Sequence, residues 1–135
     1  DIAQCLVGSE MCIRDRKNCK RVISIEGKKL VRMIQNILLS INMKTTKGFL
    51  YWLRALEYNI THNQDCEIIA DIHEIYSFLV KKYNTSYDNV EKSMRYAKNT
   101  VHKDKFNGKQ MKNREFLIVL TRKVMLQIER WCRSK

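Results

Sequence analysis

From Leu30 onward the apolar residues recur at intervals of three and four, in a chain without a single proline to break the pattern. An α-helix closes a turn every 3.6 residues, so such intervals gather side chains into one buried stripe, whereas a half-buried strand needs strict alternation. Leu30, Met33, Ile34, Ile37, Leu38 and Ile41 predict a first helix over residues 28–41. Thr45 or Thr46 can cap a second, ending near Asn59, in which Phe49, Leu50, Trp52, Leu53 and Leu56 are apolar. Gly48 in its first turn allows a close approach of another element. Ile68, Ile69, Ile72, Ile75, Tyr76 and Leu79 predict a third helix over residues 66–83, with Asn84 and Thr85 as turn residues at its end. Ser86 is a good N-cap for a fourth over residues 86–101, and Asp88 suits the positive end of its dipole. A basic loop over residues 103–112 precedes a last helix carrying Phe116, Leu117, Leu120, Val124, Ile128 and Trp131. The expected fold class is all-α, about five helices containing a helix-turn-helix.

The segment ahead of this pattern reads differently. Residues 6–15, Leu-Val-Gly-Ser-Glu-Met-Cys-Ile-Arg-Asp, resemble one reading frame of a transposase adapter used to prepare sequencing libraries. No basic start, long apolar stretch or small-residue cleavage site marks a secretory leader there. Residues 1–16 are therefore expected to be non-native adapter translation, residues 17–27 a linker, and residues 28–135 the helical domain. The chain is then expected to be a fragment lacking upstream sequence.

Charge narrows the function. The formal net charge is +12. Setting aside residues 1–16, which hold Arg14 and Arg16 but also Asp1, Glu10 and Asp15, raises it to +13. The bias is steepest in residues 84–135, where 13 basic groups face 5 acidic ones. Such a balance favours a polyanionic partner. Beyond residue 16 the cysteines are Cys19, Cys66 and Cys132, an odd set without a close pair, which reads as reduced thiols and a cytoplasmic setting. His62, Cys66 and His73 lack a second pair at ligand spacing, so no metal is expected. There is no phosphate-binding glycine loop and no nucleophile–base arrangement, so neither a cofactor nor catalytic residues are expected. No apolar run is long enough for a bilayer, so no membrane partner is expected. Trp52 and Trp131 sit in apolar helical patterns and are expected as core anchors.

The third and fourth predicted helices are separated only by Asn84-Thr85-Ser86, the spacing by which a helix-turn-helix presents its second helix to the major groove. At about 100° per residue, Val90, Met94, Ala97 and Val101 share the arc that faces the core. Asp88, Lys92, Arg95 and Asn99 share the opposite arc, with Asn89 and Tyr96 at its margin. Arg and Lys donate to guanine, Asn pairs with adenine, and Asp or Glu accept from cytosine. A charged outer face is also what any solvated helix shows; net charge and the tight turn favour the DNA reading over that plain one.

Four stretches carry a resemblance: Lys47-Gly48-Phe49-Leu50-Tyr51, the run from Ile75-Tyr76 to Lys81-Lys82-Tyr83-Asn84-Thr85-Ser86, Val90-Glu91-Lys92 with Arg95, and Asn113-Arg114-Glu115-Phe116. Over residues 30–126 the chain resembles the C-terminal effector domain of the sporulation master response regulator family, the stage zero sporulation protein A family. The resemblance implies an all-helical transcription regulator that follows a phosphoacceptor receiver domain, binds promoter DNA as tandem dimers and contacts the RNA polymerase sigma subunit. It places Val90-Glu91-Lys92 and Arg95 at the start of the recognition helix. Asn89 stands where the family has Arg, and Lys92 replaces an Arg able to form a bidentate fork, which implies an altered target sequence. The segment before the last helix is shorter than the family's sigma-contacting part.

Sequence-specific double-stranded DNA binding is the leading expectation, with Asn89, Glu91, Lys92 and Arg95 reading bases and Ser86, Lys98, Lys103 and Lys105 meeting phosphates. The alternative is a basic helical interaction module that binds an acidic partner, such as an RNA polymerase subunit.

Overall fold

A computed structural model describes residues 27–62, 71–101 and 111–134. They form α1 (Gly27–Ser40), α2 (Lys47–His62), α3 (Ile72–Tyr83), α4 (Tyr87–Asn99) and α5 (Asn113–Arg133), with no strand among the described residues. The fold is all-α. Gly27, expected as the last linker residue, opens the first helix one residue before its predicted start; residues 1–16 and the rest of the expected linker lie outside the described residues.

The third helix starts later than the apolar pattern suggests. Asp71 is its N-cap, with an extended backbone (φ −58°, ψ 129°) and a carboxylate that accepts from the His73 N–H at 2.9 Å. Cys66, Ile68 and Ile69 lie outside the described residues. Two asparagines stop helices by entering the left-handed region, Asn42 at φ 63° and Asn84 at φ 52°, a conformation their short polar side chains tolerate better than most. After α1 the Met43 N–H reaches back to the Leu38 carbonyl at 3.2 Å and the Asn42 N–H to that of Leu39 at 3.0 Å. This double bond pattern satisfies carbonyls that a helix end leaves orphaned.

Helix α2 touches all four other helices and supplies the centre of the core. Trp52 is fully buried there; its ring meets Phe116 of α5 edge-on at 5.2 Å, and its indole N–H donates to the Met94 carbonyl of α4 at 2.8 Å. An edge-to-face aromatic pair adds about 0.5–1.5 kcal/mol to the area it buries, and the N–H bond means no polar atom of Trp52 is stranded. Trp131 is only partly buried, with the Lys29 ammonium 4.7 Å from its ring centroid. Gly48 explains how α2 and α4 come so close. A Cβ at that position would lie 2.1 Å from the Ser93 carbonyl oxygen and 2.7 Å from Ala97 Cβ. No helix among the described residues is long and apolar enough to cross a membrane.

Candidate nucleic-acid interface

Helix α4 leaves the tight turn after α3 with its first turn capped. Ser86 has extended backbone (φ −106°, ψ 157°), and its Oγ accepts from the Asn89 N–H at 3.1 Å. Val90, Met94, Ala97 and Val101 are buried against the core. Asp88, Lys92, Arg95 and Asn99 are all exposed along the opposite side, as the helical arcs require.

Both exposed cations on this stripe lean on a carboxylate one turn earlier. Lys92 Nζ lies 3.1 Å from Asp88 Oδ2, and Arg95 Nη1 donates to Glu91 at 2.9 and 3.1 Å. The acid precedes the base in each pair, the favourable order along a helix, yet such solvent-exposed pairs contribute only about 0.3–0.5 kcal/mol each. They orient the cations without holding them against a better acceptor. Asn89, exposed at the margin, donates from Nδ2 to Thr85 Oγ1 at 3.3 Å. Tyr96 is 54% exposed on the same margin.

Lys98, expected near phosphates, is placed inward instead. It is only 3% exposed, and its ammonium donates to the Met111 carbonyl at 2.6 Å and to Asn99 Oδ1 at 3.4 Å. Burial pushes this ammonium below the usual lysine range and Arg95 adds to that, against the opposing pull of Glu91 and Glu115. Its position beside Ala97, on the edge of the buried arc, gives the physical reason: the four-carbon stem lies in the core and the charge reaches α5's approach. Lys103 and Lys105 lie outside the described residues.

Side chains from three helices fix how α4 stands. Asn113 at the start of α5 is buried and donates from Nδ2 to the Tyr76 hydroxyl of α3 at 2.9 Å and to the Glu91 carbonyl of α4 at 3.4 Å. Burial raises the Tyr76 hydroxyl above the usual phenol range, partly offset by the Asn113 bond. Tyr87 stacks on His73 with centroids 5.8 Å apart, hydrogen-bonds its Nδ1, and meets Tyr76 edge-on at 5.0 Å. An open groove of about 490 Å³ lies between α4 and the start of α5, lined by these aromatic rings and by Arg95, Asn99, Lys112 and Arg114. Sequence spacing along α4 alone does not reveal Tyr76, Asn113, Lys112 or Arg114, because their part in the site comes from helix packing. Tyr76, Asn113 and Arg114 do fall in two of the stretches that carry the family resemblance, whereas Lys112 falls in none.

No group of three His, Cys, Asp or Glu side chains converges among the described residues as a metal site would need. Comparison with family models, with curated proteins and with solved structures finds no match to this chain.

Proposed function

We propose that this chain is a sequence-specific double-stranded DNA-binding domain of a transcription regulator, with α4 as the recognition helix of a helix-turn-helix. The observation that carries the reading is the exposed stripe Asp88–Lys92–Arg95–Asn99 on a helix that follows a three-residue turn and packs on the core by its buried face. A major groove about 12 Å wide admits one such helix, and the stripe offers donors and acceptors suited to base edges. Asn89, Glu91, Lys92 and Arg95 are the proposed base readers, with Ser86 at the turn near a phosphate. Glu91 serves both as a candidate acceptor for cytosine and as the partner that aims Arg95. The resemblance to the sporulation regulator's effector domain supports the same assignment and extends it to a cytoplasmic protein that binds DNA as dimers and contacts a sigma subunit.

The test begins with selection of tight-binding duplexes from a randomised pool, followed by anisotropy titrations on the selected and on scrambled duplexes. Arg95→Ala is expected to lose roughly 1–3 kcal/mol on the selected duplex and to relax specificity there, with little loss on scrambled DNA. Affinity that stays near 10⁻⁴–10⁻⁶ M on every duplex, the range of nonspecific binding, would overturn sequence reading and favour an acidic protein partner.

A further inference from the structure

A helix lying in the major groove has a phosphate backbone on each side, so a DNA-reading helix gains from positive charge on both of its flanks. Lys98 does not supply that charge, since its ammonium is turned into the protein. Two other elements do. On the flank carrying Ser93, Ala97 and Thr100, the start of α2 is locked to α4: Gly48 seats against Ser93 and Ala97, and the Lys44 N–H donates to Thr100 Oγ1 at 3.0 Å. Lys44 and Lys47 are exposed at this junction. On the flank carrying Tyr87 and Glu91, the start of α5 is locked to α4 by Asn113, and Lys112 and Arg114 are exposed beside the groove they share with Arg95.

From this arrangement we infer that α4 stands between two basic walls, Lys44 with Lys47 and Lys112 with Arg114, which grip the two phosphate backbones that flank it in the major groove. The inference rests on the DNA reading and adds to it residues outside the recognition helix. The anchors are what distinguish these four from other surface cations. Each pair is tied to α4 by a buried residue, Gly48 or Asn113, so its distance from the reading stripe is fixed when the helices pack. The Lys112 backbone N–H is taken by Glu115 at 2.9 Å, so that wall acts through side-chain charge. Because phosphates carry no sequence information, the walls set affinity and register while the stripe sets sequence.

Three double variants of equal charge test this: K44Q/K47Q, K112Q/R114Q, and R130Q/R133Q as a control at the far end of α5. A 21-residue helix is roughly 30 Å long, which puts the control well away from Lys112 and Arg114 at its start. Affinity for a selected and for a scrambled duplex is measured across salt concentration, with thermal melting to check folding. Each wall variant is expected to lower the magnitude of the salt slope by about two and to weaken both duplexes alike, roughly tenfold at low salt, while the control changes little. Equal effects from all three variants would reduce the walls to net charge and overturn the inference. Unchanged slopes in both wall variants of a wild type that binds DNA would overturn it too. A wild type that binds no duplex would instead overturn the DNA reading itself. Should a glutamine pair lower the melting temperature, K44R/K47R or K112R/R114K, which keeps the charge, must restore the slope for the inference to stand.

Discussion

Lys98 joins four methylenes to one ammonium, and α4 uses both parts inside the protein. With the stem packed and the ammonium bonded to the Met111 carbonyl, Lys98→Ala removes apolar contact and leaves a carbonyl without its charged donor. Urea unfolding is expected to show a loss of about 1–3 kcal/mol, while the salt slope of DNA binding stays unchanged. Tyr76 makes a pH-dependent contribution. Its folded value lies above the ordinary 10.0, so its contribution is complete below about pH 10 and is lost as the pH rises through the folded value. Lys98 works in the opposite sense: its folded value lies below 10.5, so the cost of its buried charge is relieved as the pH rises toward that value. Above about pH 10 the Tyr58 and Tyr87 hydroxyls, raised in the same sense, add to the loss, so Tyr76→Phe is expected to make stability fall less steeply there in urea melts without abolishing the fall, although it costs about 1 kcal/mol at neutral pH by taking a partner from Asn113. A Tyr76→Phe protein whose alkaline limb matches wild type would refute the assignment. At this scale the sequence was only partly legible. Spacing placed Asp88, Lys92, Arg95 and Asn99 outward, but Lys98 sits at the edge of the buried arc, where the side-chain direction depends on what α5 brings against it.

Among the elements, the pairing of α2 with α4 is the most constrained. Alanine is a better helix former than glycine by about 1 kcal/mol, so Gly48→Ala would be stabilising on an isolated helix. Here the new methyl would fall 2.1 Å from a backbone oxygen, and the helices must separate to admit it. Gly48→Ala is therefore expected to destabilise by about 1–3 kcal/mol, read as a drop in thermal midpoint; an unchanged or higher midpoint would show that the junction can relax. The sequence already marked Gly48 as a point of close approach, though not which helix approaches. It also carried a signal for the start of α3. Asp71 followed three residues later by Glu74 is a helix-start pattern, but the apolar pair Ile68 and Ile69 drew the predicted boundary back to residue 66. Periodicity locates a stripe well and an end poorly, because the cap depends on one residue's backbone angles.

For the whole molecule, a ligand that binds only the folded state raises its stability. With a selected duplex at a hundred times its dissociation constant, unfolding is expected to become about 2.7 kcal/mol harder, and the gain is expected to shrink as salt is added. Stabilisation that is absent, or indifferent to salt, would count against an interface built on phosphate contacts. What the sequence determined by itself is the all-helical class, the five apolar stripes and the two faces of α4, because each follows from a 3.6-residue period acting within one helix. What only the tertiary structure decided is the company α4 keeps: Lys98 turned inward, Asn113 and Tyr76 bracing the helix, and the basic residues 44, 47, 112 and 114 brought alongside it. These residues are far apart in the chain, and their meeting depends on how helices cross, which no local period encodes.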